Sequence, residues 1–462
     1  MSQTLPATRA VLDDLRRAVR GEVIAPDDPR YADARQVYYG GFDRRPAALV
    51  RPVDAGDVAA AVSLARELDL DLAVRSGGHS LAGHGTVEAG VVLDLSSLDD
   101  LELDVESRTA WVGAGVTAGA YTEAAGVHGL ATGFGDAGTV GIGGLTVGGG
   151  TGFLSRKHGL TIDQLLAAEV VTADGRIQLV DEVHEPDLFW GIRGGGGNLG
   201  VVTRLRFVLH DVSELTGGML VLPATAAVLA GVVATADAAP EELTLLANTM
   251  VAPPMPFLPE EVHGQLVVVI LAVHVGPAAA GQEALAPLRR LATPLVDELA
   301  PMAYADLFVE PPGVEDFHPV VVTRTMFRET FGVAEAEVAI DGLLAATTPM
   351  AAVQLRVLGG AVARVRDDAT AYAHRQRRLM VNVAALYEDP IDGATATVWA
   401  EDLAARLREA GVDGAYVNFL GDEGPARVRE AYPGDTWDRL ARLKARYDPT
   451  NLFRHNQNVP PG

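Results

Sequence analysis

Two glycine-rich stretches hold the residues best suited to chemistry. The first is Arg75-Ser76-Gly77-Gly78-His79-Ser80. Adjacent glycines after a strand let backbone amides approach an anion closely, because no Cβ blocks contact and positive φ is open to them. A diphosphate is the natural guest, with Arg75 and Ser80 beside it, although a lone Gly-Gly is equally a tight turn. The second stretch, Gly141-Ile142-Gly143-Gly144 to Gly148-Gly149-Gly150-Thr151-Gly152, is too glycine-rich for a regular core element, and two such loops imply a large, flat or charged ligand. The dinucleotide fingerprint Gly-x-Gly-x-x-Gly fits it poorly, and the Gly-Lys-Ser/Thr ending of a triphosphate-binding loop is missing. His79 and His84 could be read as a metal pair. No carboxylate–histidine cluster accompanies them, and their spacing is not the helical His-x-x-x-His of zinc enzymes, so no metal site is expected.

The elements that must position these loops follow from periodicity. Val11, Leu12, Leu15 and Val19 form one face of a helix from Thr8 to Arg20, with Gly21 as its stop. Asp54 caps a second helix whose Val58, Ala61, Val62 and Ala65 share a face, and Leu72-Ala73-Val74 is a short buried strand leading straight into the first loop. Val91-Val92-Leu93, Ala110-Trp111-Val112, Glu169 to Thr172 and Val201 to Leu209 read as strands, with a helix near Tyr121. Glycine is dense from Gly133 to Gly159 and from Gly191 to Gly200, then sparse after Gly218, which suggests a boundary near residue 210. The middle third alternates strand-like runs (Gln265 to Val275, Val353 to Leu358, Leu379 to Leu386) with Ala-rich helical stretches, as in an antiparallel sheet backed by helices. Pro-rich Ala252 to Pro259 reads as a surface loop, Ala415 to Leu420 as a strand, and Trp437, Leu440, Ala441 and Lys444 as one helix face.

The 462 residues exceed what one core usually supports, so two domains or one with a large insertion are expected. With 37 Lys plus Arg against 61 Asp plus Glu, the formal charge is −24, which repels phosphate backbones and anionic bilayers and argues against nucleic acid or membrane partners. There is no cysteine, hence no disulfide. The first twenty residues lack an apolar signal core, and the run Leu266 to Val273 is too short to span a bilayer, so a cytoplasmic location is expected.

Taken together, the motifs resemble the flavoprotein oxidases of the vanillyl-alcohol oxidase fold, in particular the berberine-bridge-enzyme-like branch and its bacterial hydroxynicotine oxidase relatives. The likeness rests on Arg75 to Ser80, Thr139-Val140-Gly141-Ile142-Gly143-Gly144, Gly148-Gly149-Gly150, His158-Gly159-Leu160, Asp187-Leu188-Phe189-Trp190, Gly200-Val201-Val202-Thr203, Tyr447-Asp448-Pro449 and Asn456-Gln457-Asn458, in family order along the chain. It implies an α+β fold with a two-part PCMH-type FAD-binding domain, residues 1–210 and 413–462, and an inserted substrate domain, 211–412. It implies FAD as cofactor, held by Arg75, Ser76, Gly77, Gly78, His79, Ser80 and Gly83. From the second loop it adds Gly138, Thr139, Val140, Gly141, Gly143, Gly144, Gly148, Gly149 and Gly152. The remaining expected contacts are His158, Gly200, Val201, Val202, Asn418, Asn456 and Gln457. In this family the histidine of the Gly-Gly-His motif attaches to the flavin 8α carbon, which by resemblance is His79; a neutral imidazole is a competent nucleophile there. Many members add a cysteinyl tether where this chain has Ala137. A valine at Val140 resembles the oxidases in its control of oxygen entry.

The implied reaction moves a hydride from a CH–OH or CH–NH centre of a small organic molecule to flavin N5, with molecular oxygen reduced to hydrogen peroxide. The alternatives are a dehydrogenase with another acceptor and a flavin-binding protein without turnover. Many relatives carry Tyr-x-Asn-Tyr with the last tyrosine as base, whereas this chain reads Tyr416-Val417-Asn418-Phe419, and phenylalanine cannot take a proton. Candidates near the chemistry are Tyr416 and Asn382, the latter able to orient a substrate but not to act as base; Arg324, Arg356 and His318 read as solvated surface. His374-Arg375 resembles a family segment with a structural role.

Overall fold

Strict alternation in Met350–Val357 and Leu379–Tyr387 sorts their side chains onto two unlike faces. Val353, Leu355, Val357, Val381 and Val383 point into an apolar core; Gln354, Arg356, Asn382, Ala384 and Leu386 face the other way and line a cleft. In the computed structural model, which describes residues 6–254, 258–309, 318–348, 350–388 and 392–462, these strands belong to an eight-stranded sheet. Its order is Val296–Asp297, Leu215–Pro223, Leu266–Val275, Leu243–Val251, Met350–Val357, Leu379–Tyr387 and Val320–Arg328, with Ala300–Pro301 also paired to Leu215–Pro223, and every pairing is antiparallel. Residues of the helices Ala226–Ala238, Val333–Leu344 and Gly393–Leu407 cover the apolar face. Residues 255–257 of the expected Pro-rich loop lie outside the described residues.

Two other sheets frame the glycine stretches, and the second stretch departs from expectation: despite its glycines, Ile142–Val147 is a short α-helix with Ile142, Gly143 and Thr146 buried and Gly141 as its N-cap. Ala48–Arg51, Val91–Asp94 and Leu72–Arg75 run parallel, with Glu22–Ile24 added antiparallel at the edge. Asp54 caps the helix Ala55–Glu67 by accepting from the amides of Gly56 and Asp57. The second sheet is antiparallel, in the order Leu101–Asp104, Thr109–Gly113, Val201–Val208, Leu165–Val171 and Ile177–Val180. A further expectation fails: Ala415 to Leu420 is not a strand. Residues Val417–Phe419 form a 3₁₀ turn in which the Phe419 amide donates back to the Tyr416 carbonyl at 2.9 Å. Thr323 Oγ1 donates to the Phe419 carbonyl in place of a sheet partner, and the Asn418 side chain anchors the turn by donating through Nδ2 to the Leu145 carbonyl.

The chain's last turn toward the cleft is fixed by a buried ion pair. Lys444, on the helix Asp435–Tyr447, has no exposed side-chain surface and donates to Asp448 Oδ2 (2.6 Å) and to the carbonyls of Asn198 (2.9 Å) and Phe453 (2.8 Å). Asp448 also accepts the amides of Leu452 and Phe453, so both charges are fully hydrogen-bonded. Burial pulls the Lys444 ammonium down while Asp448 pushes it back up. Lys444→Met is expected to cost about 3–5 kcal/mol, because it strands the Asp448 charge in the core; thermal or urea unfolding measures it.

Candidate active site

The two glycine loops meet back to back. A Cβ on Gly77 would lie 2.3 Å from the Gly141 nitrogen, and one on Gly141 would lie 2.1 Å from Ser76 Oγ, so any side chain at either position would drive the loops apart. Beside this seam lies a cleft of about 500 Å³, a volume that suits a cofactor together with a small molecule. Its floor is the backbone of the first loop and of the short helix Ile142–Val147, open at Gly144, and its opposite wall is the polar face of the large sheet.

Of the sequence-derived candidates, Arg75 to Ser80, Val140, Gly141, Gly143, Gly144, Gly200, Val201, Val202, Asn382, Tyr416, Asn418, Asn456 and Gln457 all line this cleft. Gly83, Gly138, Thr139, Gly148, Gly149, Gly152 and His158 do not. Several of these work behind the wall: a Cβ on Gly148 would meet the Asn418 amide at 1.9 Å and one on Gly152 the Phe134 carbonyl at 1.8 Å, so these glycines let loops pack on their neighbours. Gly138 accepts the Gly119 amide, and His158 stacks on His210 at 3.8 Å. Arg75 turns its guanidinium away, to Asp94 and to the carbonyls of Ala34 and Gln36. It therefore braces the loop and presents no free charge to an anion.

His79 lies face to face with the Tyr38 ring at 3.8 Å, with Tyr39 at its edge. Burial pushes its imidazole down to about 4, opposed by a hydrogen bond to the Thr139 backbone, and Nε2 has no partner. A neutral ring with a free nitrogen is a nucleophile at physiological pH. Burial likewise holds His84, His210 and His374 at about 4 and His158 at about 3. The unfolded chain takes up these protons near 6.5 while the folded chain does not, so the stability they confer is complete above that pH and is lost as pH falls toward 4. A thermal midpoint that drops steadily between pH 7 and 5 is the expected result.

Tyr416 is fully enclosed; its phenol oxygen accepts the Gly150 amide at 2.8 Å and Asn418 Nδ2 at 3.0 Å. Burial raises its pKa, and the two hydrogen bonds tie it to the backbone of the second glycine stretch. Asn382 Oδ1 is buried without a partner; Asn382 sits in register with Gln354, whose amide donates to Asn248. Arg324 pairs with Glu401 and Glu423, and His318 meets the Tyr38 carbonyl. Arg375 is buried in a bidentate pair with Asp163.

Arg356 is not solvated surface. Its side chain is buried in the cleft wall, 4.9 Å above the Phe419 ring, with Nε on Gln354 Oε1 and a terminal nitrogen 2.8 Å from Asp136 Oδ2. Asp136 is the residue that sequence reasoning missed. Among the described residues it is the sole carboxylate lining the cleft; Arg356 engages its Oδ2, and the hydrogen bonds among those residues include none to its Oδ1. The available signal was an acid inside the Gly135-Asp136-Ala137 run, one residue before the position of the absent cysteine. Among the described residues, no group of three or more His, Asp or Glu is arranged to hold a metal, and no helix is long and apolar enough to cross a membrane.

Residues 46–181 match the family described as FAD binding domain, and residues 415–460 the family described as berberine and berberine like. The chain is 29% identical to (R)-6-hydroxynicotine oxidase of Paenarthrobacter nicotinovorans over 96% of its own length and 97% of the relative's. It is 31% identical to an uncharacterised FAD-linked oxidoreductase, YvdP, of Bacillus subtilis (strain 168), over 96% and 98%. Among solved structures, 6-hydroxy-D-nicotine oxidase from Arthrobacter nicotinovorans superposes with a TM-score of 0.84 at 27% identity, covering 96% of this chain and 98% of that one.

Proposed function

Because the chain belongs to the berberine-bridge-enzyme-like FAD-linked oxidoreductases, which oxidise alcohol or amine groups, we propose that it is an oxidase of a small CH–OH or CH–NH substrate that returns electrons to oxygen as hydrogen peroxide. The observation that carries this reading is the cleft itself, floored by glycine backbone, walled by the polar face of the sheet and lined by one carboxylate. FAD, when bound, supplies the two-electron acceptor. The remaining work falls to side chains.

Asp136 Oδ1 takes the proton that leaves the substrate oxygen or nitrogen as the neighbouring carbon is oxidised. Arg356 holds the carboxylate in place through Oδ2, and is itself fixed by Gln354 and by stacking on Phe419, so the ring that replaces a tyrosine supports the pair. Asn382, with its unpartnered Oδ1, accepts a hydrogen bond from the substrate and orients it. Val321, Ala384 and Leu386 leave the rest of the wall apolar, which favours a substrate body of low charge. His79 is the tether, and Val140, at the cleft surface, supports oxygen as acceptor. The domain division 1–210, 211–412 and 413–462 goes with this reading, as does a cofactor-holding role for Asn456 and Gln457, which line the cleft.

A peroxide-coupled screen tests the reading, using (R)-6-hydroxynicotine, simple secondary amines, and aldoses. Peroxide formed in proportion to substrate consumed supports it. Oxidation that proceeds with an artificial dye and not with oxygen makes the protein a dehydrogenase.

A further inference from the structure

We propose that a single monovalent anion of halide size binds in a second pocket, behind the Asp136–Arg356 pair. This pocket, of about 20 Å³, is lined by Asp136, Thr151, Ser155, Arg156, Thr244 and Arg356 together with apolar residues. A guest of one heavy atom fits, since a water needs about 10–15 Å³; a carboxylate or phosphate does not.

The charge balance selects the guest. Arg156 is only 6% exposed, yet among the described residues its guanidinium meets no carboxylate at ion-pair distance: its terminal nitrogens donate to the carbonyls of Leu358 (2.6 Å) and Ala239 (2.9 Å). The more distant Asp237 and Glu241 are engaged by Arg378 and Arg364. Arg156 Nε has no partner, and neither has the hydroxyl of Thr244, a residue 8% exposed. Arg356 spends its charge on Asp136. Two guanidiniums and one carboxylate around the pocket thus leave a net charge of +1. A buried cation without a counter-ion is costly, and two unused donors add to the cost. One halide accepts both hydrogen bonds and cancels the charge, whereas a water supplies the acceptor without the charge.

The pocket shares Asp136, Thr151 and Arg356 with the large cleft, so the anion would sit one ion pair away from the substrate. This site goes beyond the oxidase reading and does not depend on it, because its test needs no turnover. Crystals of the holoenzyme soaked in sodium bromide should show an anomalous peak between Arg156 Nε and Thr244 Oγ1. In solution, the thermal midpoint should rise saturably by about 3 °C with bromide and not with gluconate at equal ionic strength. Thr244→Val, which removes one donor without touching Arg156, should weaken the apparent bromide affinity about fivefold. A pocket that is empty or holds only water at saturating bromide overturns the proposal, as does a midpoint that responds equally to bromide and gluconate.

Discussion

Replacing Asp136 by asparagine is expected to lower kcat/KM about 10²–10⁴-fold, the range typical of a lost general base, while bound FAD and the thermal midpoint change little. Asparagine keeps an oxygen that can accept from Arg356, so the 2.8 Å contact and the stacking of Arg356 on Phe419 survive. What disappears is the capacity to take a proton. Such a loss falls on kcat far more than on KM, since the substrate is still oriented by Asn382. A structural role for the pair predicts the reverse pattern, with damage to stability and substrate affinity together. Restoring a phenol in the double variant D136N/F419Y should recover part of the rate, because it returns an ionisable group to the position where relatives carry tyrosine. If D136N turns over within about threefold of wild type, the proton goes elsewhere.

After acid precipitation the wild type is expected to keep its flavin colour in the pellet, and His79→Ala to release all of it to the supernatant. The chain contains no cysteine, so no second side chain of the kind used by relatives can hold the cofactor. The variant should bind FAD reversibly or lose it on dialysis, and its thermal midpoint should fall as free FAD is removed, by the usual linkage of a ligand to the folded state. A depressed pKa of about 4 leaves the His79 imidazole neutral throughout the physiological range. Attachment of FAD to the apoprotein should therefore proceed at the same rate from pH 5.5 to 8 and slow only as the ring takes up a proton below that.

Local features were legible in the sequence because they depend on neighbours along the chain. The alternation in Leu379–Tyr387, the cap at Asp54 and the first glycine loop need nothing more than spacing and residue type, whereas the helix Ile142–Val147 formed against the composition of the second stretch. The seam between Gly77 and Gly141 was foreshadowed by composition, since only glycine permits that approach. Features created by distant contacts were not legible. Arg356 read as surface because its partner Asp136 lies 220 residues earlier, and neither residue is unusual in its own segment. Ala415 to Leu420 has the composition of a strand, but it folds as a turn whose Phe419 carbonyl accepts from Thr323 and whose Asn418 side chain is held on the Leu145 carbonyl. Tyr416 was a reasonable candidate until its oxygen proved to be occupied by the Gly150 amide and Asn418. His158 shows the same limit from the other side: a family motif marks it, and the fold stacks it on His210 away from the cleft.

The most direct test of the whole account is a two-step flavin titration with the best substrate from the screen. Under argon, substrate should bleach the visible flavin band of the holoenzyme; on admission of air, the colour should return within the turnover time with one hydrogen peroxide formed per substrate oxidised. A flavin that bleaches but stays reduced in air, and recovers only when a dye is added, would contradict the oxidase assignment.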